Sequence, residues 1–399
     1  MKARLAVAIT LACVAAGPVS AQEPPSVEVV TGLDFPTGIA FAPDGRMFVN
    51  ERAGRIRVVS DGGLDPTPVA RIPTTTSGEA GLLGIALPPD FSSEERIYAF
   101  ATAPDGVTNQ VWRVPLSGGE PEVIVPDLPA SGYHNGGGLA FDEAGFLFVS
   151  NGEQHSDGKA QDPDVLGGKV YRFTADGAIP RDNPFGASPA YAIGLRNPYG
   201  LAIDPVSGDP FVTENGPSSF DEVNRIEAGG NYGWPEVSGP ASGDVAGLAG
   251  TYHDPILAYE EIIVPTGITF ADGPSVPREV RGDVFFGSFG EQALHRVRLG
   301  QDRARAESEE VIEVDEPVVA VAWGPDGLYY STFSSIRLMS FGGQGSPSEE
   351  PEVAQPAPSG APPEADEGAG VGLTLALLIG VVAAVGALAF SLLRSRTDR

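Results

Sequence analysis

Along residues 26–342 the hydrophobic and polar positions repeat one local motif. A small residue is followed by hydrophobic–Ala–hydrophobic, then a Pro/Asp/Gly turn, then a second run of alternating apolar positions. Copies are TGIAFAPDGRMFVN from Thr37, LLGIALPPDF from Leu82, GGLAFDEAGFLFVS from Gly137, GLAIDPVSGDPFVT from Gly200, TGITFADGP from Thr266 and VVAVAWGPDGLYYS from Val318. Period-two alternation on both sides of an Asp-Gly-like turn predicts a β-hairpin. A further strand-like run follows most copies: RIRVVS at Arg55, NQVWRVPL at Asn109, KVYRFTADG at Lys169, DEVNRIEAGG at Asp221 and ALHRVRLG at Ala293. A multi-stranded unit recurring about every 40 to 65 residues is the signature of radial repetition, and six copies predict an all-β, six-bladed β-propeller. SVEVVTGL, Ser26 to Leu33, is the spare strand that would complete the last blade and close the ring.

The ends read differently. Residues 1–21 form a secretory signal: Lys2 and Arg4, an apolar run from Leu5 to Ala16, and Val19-Ser20-Ala21 before Gln22. The only cysteine, Cys13, lies inside it, so the mature chain would hold neither disulfide nor thiolate chemistry. Residues 343–370 are rich in Pro, Gly, Ser and Glu and read as a disordered stalk with a reach of roughly 30 Å. Val371 to Leu393 is an uncharged run long enough to span a bilayer, and Arg394, Arg396 and Arg399 follow it. The positive-inside rule places residues 394–399 in the cytoplasm and the propeller outside, in a periplasm or at the cell surface.

With 53 acidic against 25 basic residues the formal net charge is −28. A surface of that sign repels phosphate backbones, which argues against nucleic acid as a partner.

Chemistry-bearing residues gather at the entrances to the repeats. Glu79 precedes the second copy. His134 opens HNGGG before the third, and Arg196 and Asn197 precede the fourth; Glu153 follows the strand GFLFVSNGEQ. In a propeller, matched positions in successive blades meet at one end of the central channel. Glycines 136–138 leave the backbone bare for close approach. The stretch from Tyr191 to Pro235 adds Thr213-Glu214-Asn215-Gly216-Pro217, the acidic Asp221-Glu222, and Asn231-Tyr232-Gly233-Trp234-Pro235. Asp221, Glu222 and Asn224 admit two readings, a metal site or a solvated turn.

GLRNPYG, TENGPxxxDEVN and GGNYGWP, with HNGGG and GEAGLLGIALPPDF, resemble the glucose/sorbosone dehydrogenase family in order and spacing. The resemblance implies a calcium- and pyrroloquinoline-quinone-dependent oxidation of aldoses to lactones. It makes His134 the base, Glu153 the group that orients and charges it, and Arg196 the cation beside the quinone oxygen. Asn197 and Glu79 become cofactor contacts. The carbonyls of Gly216 and Pro217 become calcium ligands, and Glu222 and Tyr232 a second calcium site. The implied partners are a sugar and a membrane-associated electron acceptor, with the membrane reached through the C-terminal helix.

Three positions depart from the family pattern. Glu79 stands in place of a glutamine. SFGEQALHRV has no lysine in the fifth blade, and EPVVAVAWGPDG has no arginine in the sixth. Arg281, Arg296 and Arg298 are the candidates to replace the missing cations. An alternative is a non-catalytic calcium-binding surface propeller that takes a glycan or protein. A calcium lactonase would want side-chain carboxylates at the channel mouth, whereas the best metal motif here offers backbone carbonyls.

Overall fold

A computed structural model describes residues 24–342. Six antiparallel sheets surround a central channel. Their inner strands are Pro36–Phe41, Leu82–Ala86, Leu139–Phe141, Pro198–Ile203, Pro265–Phe270 and Val321–Gly324, one in each predicted repeat. Each is hairpinned to a second strand, ending at Glu51, Thr102, Asn151, Glu214, Ser288 and Ser331 in blades 1 to 6. Ser26–Val30 pairs antiparallel with Ile336–Met339, so the first strand of the fold completes the last blade and closes the ring, as the sequence predicts. The six-bladed all-β expectation is met. Among the described residues no helix is long and apolar enough to cross a membrane. The predicted signal at 1–21, the stalk at 343–370 and the apolar run at 371–393 lie outside the described residues.

The core is six wedges, one between each pair of neighbouring blades. The alternation read in the sequence builds them, because consecutive residues of a strand face opposite neighbours. Phe48 packs against blade 2 and Val49 against blade 6. Phe211 faces blade 5 and Val212 blade 3.

The small residue opening each repeat has a steric cause. A Cβ added at Gly38, Gly84, Gly138, Gly200 or Gly267 would meet the next blade at 2.0 to 2.9 Å. Glycine thus permits the inner strands to close the channel. Side chains at the same end stitch blades together. Thr37 donates to the Leu82 carbonyl, Asn50 to Gly84, Thr213 to Thr266, Thr266 to Val318 and Ser331 to Pro36.

Candidate active site

That stitched end also carries the chemistry. His134 is buried, and its Nδ1 lies 2.5 Å from Glu153 Oε1. Burial opposes ionisation of Glu153. The His134 hydrogen bond and charge, the Ser156 amide and Arg196 outweigh it and hold the carboxyl below its ordinary range. An ionised carboxylate only accepts, so Nδ1 carries the proton and Nε2 keeps the free lone pair. Glu153 therefore sets the tautomer of His134.

The surrounding loops fix both groups. His134 has φ 53°, a left-handed conformation that costs a residue with a Cβ of order 1–3 kcal/mol. Glu79 Oε2 accepts the His134 amide N–H at 2.7 Å and pins that turn. Glu153 donates its own amide to the Arg196 carbonyl at 2.9 Å. Asn197 Oδ1 accepts the Gly136 N–H at 3.2 Å, tying the glycine loop to blade 4. The loop that follows Glu153 is staked by Lys169. This fully buried lysine donates to the carbonyls of Lys159 (2.6 Å) and Gly167 (2.8 Å), and burial brings its pKa down to about 7.

Arg196 stands beside this pair. Burial pulls its guanidinium below the ordinary value, against the carboxylates of Glu214, Glu153, Glu79 and Asp157. It lies over the Trp234 ring at 5.5 Å, and its Nη1 donates to the carbonyls of Asn215 (2.8 Å) and Gly216 (3.0 Å). The five residues predicted to form the constellation, Glu79, His134, Glu153, Arg196 and Asn197, are thus brought together.

A small pocket next to Arg196 is lined by Glu214, Gly216, Glu222, Tyr232 and Trp234. Glu214 Oε1 accepts the amides of Arg196 (2.6 Å) and Asn197 (2.7 Å), while its buried Oε2 has no partner. Trp234 Nε1 is likewise buried and unpartnered. Burial and the charge of Glu222 push the Glu214 carboxyl up to about 8. Glu222 is held by the Gly239 amide (2.7 Å) and Asn224 (2.9 Å). Two buried polar atoms without protein partners thus belong to residues that line one small cavity.

One open reading closes and one expectation needs correction. Asp221, Glu222 and Asn224 are no solvated turn. All three are buried in the strand Asp221–Arg225, and Asp221 accepts the amides of Ile263 and Val264 from the next blade. Arg281, Arg296 and Arg298 cannot replace the missing cations. Arg296 and Arg298 pair with Asp283 at the opposite end of blade 5, and Arg281 caps the carbonyls of Gly273 and Val276.

The Tyr232 hydroxyl is also committed. It donates to the Arg225 carbonyl at 2.5 Å and accepts the Glu227 amide at 2.9 Å. Pro217 follows Gly216 on the loop and is half-buried.

Sequence reasoning passed over Glu214, although it ends the strand in a motif already singled out. Arg52 was missed too. It reaches across to the carbonyls of Ala80 (3.0 Å) and Thr76 (3.2 Å), and its charge is coupled to Glu79 and Tyr199. Its position in a blade-1 hairpin gave no signal. His155, two residues beyond Glu153, packs its ring on that of His134 with centroids 4.0 Å apart. Desolvation there and the charge of His134 lower its pKa.

The family model for Glucose / Sorbosone dehydrogenase matches residues 33–337. The chain is 31% identical over 350 residues to the aldose sugar dehydrogenase of Escherichia coli K12, covering 81% of this chain and 93% of that one. Among solved structures, the PQQ-bound aldose sugar dehydrogenase of Streptomyces coelicolor superposes with a TM-score of 0.68 at 31% identity, covering 79% of this chain and 98% of that one. An oxidoreductase (glucose dehydrogenase) of Thermus thermophilus gives 0.70 at 36% identity, covering 79% and 99%.

Proposed function

The chain belongs to the glucose/sorbosone dehydrogenase family and is an oxidoreductase, and on that premise we propose that it oxidises aldose sugars to lactones with pyrroloquinoline quinone and calcium. The buried Glu153–His134 pair, set beside Arg196, carries this reading. Lactone formation removes a proton from the anomeric hydroxyl and a hydride from the same carbon. The quinone supplies, when bound, the two-electron acceptor that no side chain offers. His134 Nε2 takes the proton, and Glu153 stabilises the imidazolium that results. Arg196 places positive charge where an anionic oxygen develops.

The residues present fit the two groups. Arg196, Asn197 and Arg52 would hold an anionic quinone, while Glu79 serves it indirectly by pinning His134. Calcium prefers hard oxygens. The unpartnered Glu214 Oε2 and Glu222, which line one pocket with Gly216 and Tyr232, would offer them, joined by the carbonyls of Gly216, Pro217 and Tyr232 that the resemblance implies. The apolar run 371–393 would tether the propeller outside the cytoplasm, near an acceptor in the membrane.

One observation favours a second reading. The loop after Ser288 in blade 5, and the segment EPVVAVAWGPDG leading into the inner strand of blade 6, lack the lysine and arginines that the family pattern expects there. A calcium-binding propeller without turnover would show the same pattern.

The deciding experiment strips metal from the full-length chain in mild detergent. It then adds calcium and quinone and follows dye reduction with a panel of aldoses. Turnover is expected, falling by about 10²–10⁴-fold in His134→Ala. Calcium-dependent stabilisation without quinone binding or turnover would overturn the enzyme reading.

A further inference from the structure

His155 has no part in the reaction described above, yet its backbone is held in an unusual place. It has φ 56°, as does Gln154 before it, and His134 has φ 53°. Left-handed backbone is uncommon for a residue with a Cβ, although histidine adopts it more readily than most. Here it sets the two imidazoles side by side, tilted 41° with centroids 4.0 Å apart, and Tyr133 packs edge-on against His155 at 5.2 Å. One ligand atom each from His134, Glu153 and His155 falls within 4.8 Å of the other two. His155 is exposed, so the cluster opens to solvent on that side.

We propose that His134 and His155, with Glu153 against His134, form a binding site for a divalent transition-metal cation of the Zn²⁺ or Cu²⁺ class. Glu153 engages His134 Nδ1 and leaves Nε2 as the free ring nitrogen. This is the carboxylate–histidine–metal arrangement, in which the carboxylate fixes the ring and raises its basicity. Two imidazoles select zinc and copper over calcium, which seeks oxygen. The Glu79 carboxylate on the His134 amide adds further negative charge. A cation bound at Nε2 occupies the lone pair needed for proton abstraction, so the site is inhibitory: metal and substrate deprotonation exclude each other. The cation makes two nitrogen bonds and no redox step follows.

This inference rests on the placement of His134 and not on its catalytic role, so its test needs no turnover. The full-length chain, chelator-treated and free of quinone, is titrated with Co²⁺ under visible spectroscopy, then challenged with Zn²⁺. One saturable site with nitrogen-ligand absorption, displaced by Zn²⁺, is expected. His155→Gly removes the ring and suits the local φ. It should leave the metal-free melting point unchanged or raised while abolishing the Co²⁺ spectrum.

Glu153→Gln should weaken binding by roughly 10–100-fold. His253→Ala, which alters a histidine beside Glu227 elsewhere in the fold, should change nothing. Equal Co²⁺ affinity in the parent and His155→Gly, or no saturable site in the parent, would overturn the proposal. If dye reduction is seen, Zn²⁺ should inhibit the parent and spare His155→Gly. If no turnover is found, the dehydrogenase reading fails while the Co²⁺ titration still decides this one.

Discussion

Blades 1 and 4 carry the same structural slot and fill it to opposite effect. In each, the last residue of the second strand is a buried glutamate paired across the hairpin with the proline that opens the inner strand: Glu51 with Pro36, Glu214 with Pro198. Each carboxylate accepts the amide of the residue two before that proline, Asp34 at 2.9 Å and Arg196 at 2.6 Å. There the likeness ends. Glu51 is met by Arg55 at 2.5 Å and Arg57 at 3.3 Å. Glu214 has a second oxygen with no partner and another carboxylate, Glu222, as its electrostatic neighbour. In blade 5 the slot holds Ser288, opposite Pro265, which donates to the Ile263 carbonyl at 2.6 Å. The fold requires a polar group that catches the entering loop. A neutral hydroxyl or a fully paired carboxylate does so, whereas a half-satisfied carboxylate is costly and marks where something else binds.

This contrast can be broken by experiment. The largest effect is expected from Glu51→Ala, which leaves Arg55 with Asp34 alone and the buried Arg57 with no carboxylate, and should cost about 3–5 kcal/mol in denaturant unfolding. Below about pH 4.5, where the parent's carboxyl is neutral in both states, Glu214→Gln should instead leave the calcium-free stability nearly unchanged, because the amide oxygen still accepts both backbone N–H groups. It should, however, remove the calcium-dependent rise in stability. One bound calcium ion should raise the parent by about 2.7 kcal/mol at a hundredfold excess over Kd. An equal loss of calcium-free stability in both variants would erase the distinction.

The effect smallest per step is a slope with pH. Glu214 is raised to about 8 in the fold, from an ordinary 4.5 when unfolded. Its neutral form is therefore favoured by folding. The stability this provides is complete below about pH 4.5 and is lost as pH rises towards 8, because the unfolded chain binds fewer protons over that window. Calcium-free parent should lose on the order of 1 kcal/mol per pH unit relative to Glu214→Gln between those values. Parallel profiles would show that Glu214 is ionised and partnered after all.

The repeat count, blade boundaries and closure by Ser26–Val30 were all legible in the sequence. So were the candidates Glu79, His134, Glu153, Arg196 and Asn197, because each sits at a fixed place in a repeat and the propeller carries that place to one end of the channel. Partnerships were not legible. Asp221 could be read as part of a metal site or of a solvated turn, and it catches amides 42 and 43 residues further on. Arg296 looked free to serve the site and is spent on Asp283.

By itself, then, the sequence determined the ring. Strand faces follow from period-two alternation and hairpins from local turn residues, and both act over a few neighbouring positions. Only the tertiary structure decided which buried charges are satisfied. Glu51 and Glu214 are the same residue in the same slot. What separates them is the presence of two arginines in one blade and of a second carboxylate in the other, and the energy of a buried charge is set by the groups brought around it.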